Sequence, residues 1–222
     1  MTRRAVLLDA LGTLVELQPP APRLMRLLRE AGHDVDEERA AAGFGAEIAY
    51  YLGHHLDGAD PESLDDLRER CAVAMREALD LPGLDQATAR RVMLEALEFT
   101  PFPDAAPALR ELRAAGHTLV VVSNWDCSLP EWLGPPGLLG LVDAVVSSAE
   151  VGAAKPDPAP FARGLELAGV RPEDALHVGD SLDNDVAGAR AAGVRPVLLD
   201  RAGTAPPWVE AVRSLLEVRS LV

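Results

Sequence analysis

Residues 177–193 read H-V-G-D-S-L-D-N-D-V-A-G-A-R-A-A-G. The short apolar run Ala175–Val178 stops at Gly179-Asp180, and a helix-compatible stretch follows, with Asp183, Asn184 and Asp185 on its first turn. A continuous apolar run that passes through a glycine into a helix is the building unit of a parallel α/β sheet. Three carboxylates and an amide, Asp180, Asp183, Asp185 and Asn184, crowd positions 180–185, and the carboxylates repel one another unless they share a cation. Oxygen-only ligation suits Mg²⁺, which keeps several of its waters. The competing account is that carboxylates simply favour the positive end of a helix.

Four more runs of the same kind lie elsewhere: Ala5–Leu8, Leu119–Val122, Ala144–Val146 and Val197–Leu199. Each is unbroken rather than alternating, as expected of strands covered on both faces. Helical stretches separate the later runs. One carries Ala108, Leu109, Leu112 and Ala115 before Gly116; another carries Phe161, Leu165 and Ala168 before Gly169. Glycine just past the last periodic residue is a common helix stop. Strands alternating with helices imply right-handed crossovers and a parallel sheet. The fold class is α/β.

Between Pro19 and Phe99 the pattern changes. No strand-like run appears, and helical periodicity marks 21–31, 36–56, 61–79 and 85–97. Prolines stand at both borders, Pro19, Pro20 and Pro22 going in and Pro101 and Pro103 coming back, as semi-rigid hinges. The expected organisation is a core of residues 1–17 and 100–222, with an all-helical cap of residues 18–99 inserted after the first strand.

The net charge is −14, so the overall field repels nucleic acid and anionic membrane surfaces. An anionic substrate therefore needs a local positive site. Two cysteines, Cys71 and Cys127, are too few for a disulfide framework and fit a reducing compartment. The start, M-T-R-R-A-V-L-L-D-A-L, resembles a signal peptide only until Asp9 interrupts the apolar run, and no small-residue cleavage site follows. A cytoplasmic address is expected, and no run reaches membrane-spanning length.

In an open parallel sheet, ligands bind outside the carboxyl ends of the strands. Those ends carry Asp9, Ser123, Ser147, Asp180 and Asp200. Helix capping accounts for Ser147 and Asp200. It accounts poorly for Asp9, in L-L-D-A-L-G-T-L at 7–14, where a carboxylate, a glycine turn and Thr13 offer a nucleophile, N–H groups and a hydroxyl to one anion. Ser123 and Asn124 end V-V-V-S-N with further hydrogen-bonding groups. Of 21 basic side chains 20 are Arg, and the one Lys, Lys155, stands in V-G-A-A-K-P-D-P. An ammonium is a compact point charge that fits between a carboxylate and a phosphoryl oxygen, where a planar guanidinium does not.

The order D-x-x-G-T-L, S-N, K-P-D-P and G-D-S-x-x-N-D resembles the haloacid dehalogenase superfamily, in its branch with a helical cap after the first motif. The resemblance spans the core and implies a Rossmann-like parallel sheet. It also implies Asp9 as covalent nucleophile, with Thr13, Ser123, Asn124 and Lys155 binding the phosphoryl group. Lys155 would keep Asp9 ionised. Mg²⁺ would be held by Asp9, the Leu11 carbonyl and Asp180, with Asn184 and Asp185 orienting its waters. The implied substrate is a small phosphorylated metabolite, whose identity fold and motifs leave open, as they do the oligomeric state.

One position departs from the pattern. Phosphatases resembling this family carry a second Asp two residues after the nucleophile, which protonates the leaving group; here it is Leu11. General acid–base catalysis contributes typically ~10²–10⁴-fold. Three readings follow: a phosphatase that draws its proton elsewhere or needs none, a 2-haloacid dehalogenase, and a catalytically impaired phosphate- and metal-binding protein. Halide leaves without a proton, but dehalogenases resembling this family need no Mg²⁺ and usually replace the metal Asp, which is present here as Asp180. In the 44–55 helix, Glu47, Tyr51 and His55 share one face and Tyr50 and His54 another, the candidates for a substitute donor.

Overall fold

The computed structural model describes residues 5–222. The chain divides into two compact units, Met1–Glu16 with Thr100–Val222, and Leu17–Phe99. The start of the signal-like stretch, residues 1–4, lies outside the described residues, and Ala5–Leu8 is a strand.

The first unit is built on a six-stranded sheet. Its strands are β1 (Ala5–Leu8), β4 (Thr118–Ser123), β5 (Ala144–Ser147), β6 (Ala175–Gly179), β7 (Arg195–Leu199) and β8 (Ala211–Val212). They lie in the order β5-β4-β1-β6-β7-β8, and every pairing is parallel. The five apolar runs are five of these strands. The sixth, two residues long, is too short to leave a periodic trace. β1 is central and buried along its whole length, which is why its sequence shows no polar alternation. Two further short strands, β2 (Val15–Leu17) and β3 (Phe99–Pro101), pair where the chain leaves and re-enters this unit.

The helices of this unit are α5 (Ala105–Ala114), α6 (Leu129–Leu133), α7 (Ser148–Val151), α8 (Ala159–Ala168) and α9 (Gly188–Ala191). α8 packs on β4 and β5, placing Phe161 and Leu165 against Leu7, Val120, Val122 and Val146. Truncating a buried Phe such as Phe161 to Ala costs about 3–5 kcal/mol. Ser147 accepts from Glu150 N and caps α7 as expected, whereas Asp200 accepts from Gly203 N in a turn that no helix follows, so it stabilises that turn and caps no helix.

The second unit holds α1 (Pro20–Glu30), α2 (Glu37–His54), α3 (Pro61–Leu79) and α4 (Gln86–Ala96). Their core is Leu24, Leu28, Phe44, Leu67, Met75, Leu79, Val92 and Met93. Asp36, Asp60 and Asp85 cap the last three helices through their carboxylates. Tyr50 and His54 stack with centroids 4.1 Å apart, and Tyr50 also accepts from Arg70 Nη1. His54 Nδ1 donates to the Tyr50 carbonyl, so this pair is held within its own helix turn.

Glu47 is different. It lies buried on α2 against Cys71 of α3, and burial pushes its carboxyl up from an ordinary 4.5 to about 7, against the smaller downward pull of the Cys71 contact. Folding therefore takes up a proton, and stability falls as pH rises from about 4.5 through about 7. We expect Glu47→Gln to remove this loss. Urea unfolding should find it more stable than wild type at pH 8 by up to ~3 kcal/mol, and little different near pH 4.5.

Candidate active site

β4, β1 and β6 are neighbours, so their carboxyl ends carry Ser123, Asp9 and Asp180 to one edge of the sheet. The Asp9 N–H donates to the Val178 carbonyl at 2.9 Å, which ties the start of the first loop to β6. That loop then turns tightly, with the Ala10 carbonyl accepting from Leu14 N and Val15 N. Gly12 sits there with φ +81°, and a Cβ on it would lie 2.0 Å from Asp180 Oδ2. Only glycine lets the two loops approach so closely.

Asp9 Oδ1 accepts from Ser123 Oγ at 2.9 Å and from Lys155 Nζ at 2.7 Å. Lys155 Nζ donates also to Asp185 Oδ1 at 2.6 Å. Lys155 is 3% exposed and Asp185 1%, so the ammonium is shared between two carboxylates almost out of reach of water. Asn124 has a role that its sequence position does not reveal. Its Nδ2 donates to the Lys155 carbonyl at 2.9 Å and its Oδ1 accepts from Lys155 N at 2.7 Å, so the amide clamps the lysine's backbone.

Asp185 is held from several sides. Beside Lys155, its Oδ1 accepts from His177 Nε2 at 2.9 Å, and its Oδ2 from Ser181 N at 3.0 Å. With those three donors it is a partner of the ammonium. The reason is local: Leu182–Ala187 forms a π-helical turn, capped by Ser181 accepting from Asn184 N, and this wider turn directs Asp185 inward. Glycine at 179 makes room for it, since a Cβ there would lie 2.1 Å from the Asp185 Cγ.

Thr13 is fully buried, and its hydroxyl has no hydrogen-bond partner among the described residues. Its carbonyl accepts from Arg201 Nη2, and Arg201 also forms a bidentate pair with Asp104 and stacks on Phe102. These supports were invisible in the sequence, where one Arg in 20 carries no signal. Trp125 and Asp126, which follow Ser123 and Asn124 directly, are both 5% exposed and belong to the interior.

Burial pushes the Asp9 carboxyl up; the Lys155 charge opposes this and the Asp185 charge adds to it. Asp180 is pushed up to about 6, by burial first and then by the charges of Asp9 and Asp185. Burial would also raise Asp185, but Lys155 and His177 outweigh it and hold that carboxyl below the usual range. Lys155 is raised because its two carboxylates outweigh its own burial. One ammonium thus serves two anions, and a third, Asp180, stands beside them uncompensated. Ligand oxygens of Asp9, Asp180 and Asp185 lie within 4.8 Å of one another. An all-oxygen set with surplus negative charge fits a hard divalent cation. Asp9 and Asp180 are the carboxylates with capacity for it.

A parallel α/β sheet thus carries a cluster of carboxylates and one shared ammonium at the carboxyl ends of its strands. The haloacid dehalogenase-like hydrolase family matches residues 3–193, and the chain belongs to it. It is 39% identical over 139 residues to a phosphoserine phosphatase of Thermus thermophilus, covering 62% of this chain and 55% of that protein. Against a glyceraldehyde 3-phosphate phosphatase of Methanopyrus kandleri it is 38% identical over 103 residues, 46% and 44% of the two chains. The matches thus span about half the length of these relatives. Among solved structures, a phosphatase of the family from Thermococcus onnurineus aligns with TM-score 0.65 and 27% identity over 98% and 97% of the chains. The L-2-haloacid dehalogenase of Xanthobacter autotrophicus aligns with TM-score 0.71 and 25% identity over 99% and 98%.

Gly12→Ala tests the loop contact without reference to activity. The added methyl meets Asp180 and forces a left-handed backbone on Ala, so denaturant unfolding should show a loss of about 1–3 kcal/mol. An unchanged midpoint would contradict the close approach.

Proposed function

We propose that this hydrolase is a Mg²⁺-dependent phosphatase acting on a small phosphorylated metabolite through an aspartyl-phosphate on Asp9. The supporting observation is the convergence of Lys155 Nζ and Ser123 Oγ on one oxygen of Asp9, beside the carboxylate of Asp180. The Asp9 carboxylate attacks phosphorus, the bond from phosphorus to the leaving oxygen breaks, and that oxygen keeps the electron pair. Water then attacks the same phosphorus, and cleavage of the aspartyl–phosphate bond returns the Asp9 carboxylate and inorganic phosphate. Lys155 keeps Asp9 ionised and, with Ser123, offers donors to the phosphoryl oxygens. Asp9, Asp180 and the Leu11 carbonyl would hold Mg²⁺, which would supply positive charge against the anionic substrate. Asn184 and Asp185, on the π-helical turn, are the candidates to orient its waters.

Leu11 limits what can leave. Its side chain is 43% exposed and offers no proton, so the reading favours leaving groups that depart as stable anions, such as acyl or aryl phosphates. The helical unit is proposed as the cap of such enzymes, the part that selects the metabolite. Nucleic acid and membrane surfaces are disfavoured by the net charge, and no helix among the described residues is long and apolar enough to cross a membrane. Cys71 and Cys127 are thiols, in keeping with a cytoplasmic address. The second reading, a dehalogenase, draws on Leu11 and on the likeness to the Xanthobacter enzyme. Asp180 weighs against it.

A screen of phosphorylated metabolites with and without Mg²⁺ separates the readings. Turnover that needs Mg²⁺ and vanishes in Asp9→Asn is the expected result, whereas turnover of 2-halo-acids in chelator would favour the dehalogenase. Ligand-induced stabilisation with no turnover of any compound would favour the binding protein. Leu11→Asp should raise kcat on alkyl phosphates by about 10²-fold, and no gain would show that the proton comes from another group.

A further inference from the structure

His177 is a buried polar residue that the chemistry above does not use. It occupies the middle of β6, paired with Leu7 on one side and Pro196 on the other, among Ala175, Leu176 and Val178. The site is fully buried, where a leucine would fill the space with no polar group to desolvate. Its ring packs T-shaped with Phe161, centroids 4.9 Å apart, and Nδ1 has no hydrogen-bond partner among the described residues. The one hydrogen bond of the side chain among the described residues is Nε2 to Asp185 Oδ1, 2.9 Å. An ionised carboxylate only accepts, so Nε2 carries the proton and donates it.

That oxygen is the one that also holds Lys155. The ammonium lies 2.6 Å from Asp185 and 2.7 Å from Asp9, close to an even division between the two. A second donor on Oδ1 satisfies part of its charge, and with Ser181 N on Oδ2 it leaves the Asp185 carboxylate no freedom to turn. We propose that His177 is a positioning residue: by donating to Asp185 it holds the carboxylate in the orientation that presents the Lys155 ammonium to Asp9. Without that donor, Asp185 turns and draws the ammonium away from the nucleophile. The catalytic consequence rests on the phosphatase reading, but the placement of Lys155 does not.

The chain's single lysine makes the test direct, because ¹³Cε-lysine labelling yields one signal. His177→Leu keeps the volume and removes the donor, while His177→Gln restores an N–H near the Nε2 position. The expected result is a folded Leu variant with a shifted Lys155 signal and kcat lowered about tenfold at nearly unchanged KM, with Gln returning both towards wild type. A Lys155 signal unmoved by His177→Leu would overturn the proposal, whatever the activity. So would a Gln variant as impaired as Leu, which would mean that packing alone is at stake. His177→Met replaces the Leu variant if that one does not fold. If wild type hydrolyses no phosphorylated compound, the phosphatase reading fails by itself. The lysine signal then decides alone: a shift in Leu reversed by Gln supports the positioning role, and any other pattern overturns it.

Discussion

A single ammonium held between two buried carboxylates is the contact around which the rest of the site is arranged. In a poorly hydrated environment neither carboxylate is tolerable unpaired, and removing one partner of such a pair typically costs about 3–5 kcal/mol. Lys155 answers for Asp9 and Asp185 together, so its placement decides how much negative charge remains for a guest to meet. With Asp180 adjacent, the balance stays negative. Such a surplus of carboxylate oxygens is chemically suited to a hard cation.

Much of the surrounding structure serves to keep that ammonium where it is. Asn124 grips the lysine's backbone at both its N–H and its carbonyl, while the π-helical turn after β6 swings Asp185 inward to meet the side chain. Gly12 and Gly179 are absences of a side chain that let two loops and a carboxylate close up. Arg201, anchored by Asp104, supports the far side of the Asp9 loop through the Thr13 carbonyl. Within this frame Leu11 stands out as an exposed apolar side chain on the loop that follows Asp9.

The helical unit follows other rules. Its helices are capped by three aspartates, so part of the chain's large negative charge is structural and sits where helix termini attract it. Glu47 departs from that economy: a carboxyl inside an apolar core, without a cation among the causes acting on it. Proximity on one helix face had grouped it with Tyr51 and His55, yet burial singles it out. Periodicity tells which residues share a face, but not how deeply that face is packed.

Five strands, four inserted helices and the positions of Asp9, Ser123, Lys155 and Asp180 could be read directly from the chain. Each is announced by a local pattern: an unbroken apolar run, a 3.6-residue repeat, or a polar residue directly after a strand. Composition contributed the rarest mark of all, one lysine among 20 arginines. The division of the ammonium between two carboxylates, the donor from His177, the amide clamp of Asn124 and the support from Arg201 had no such mark. Those contacts join residues 8 to 188 positions apart, and their geometry depends on strand register and on one widened helical turn. Local sequence preference sets which elements form, whereas the distances that make a site are set only when distant elements pack against one another.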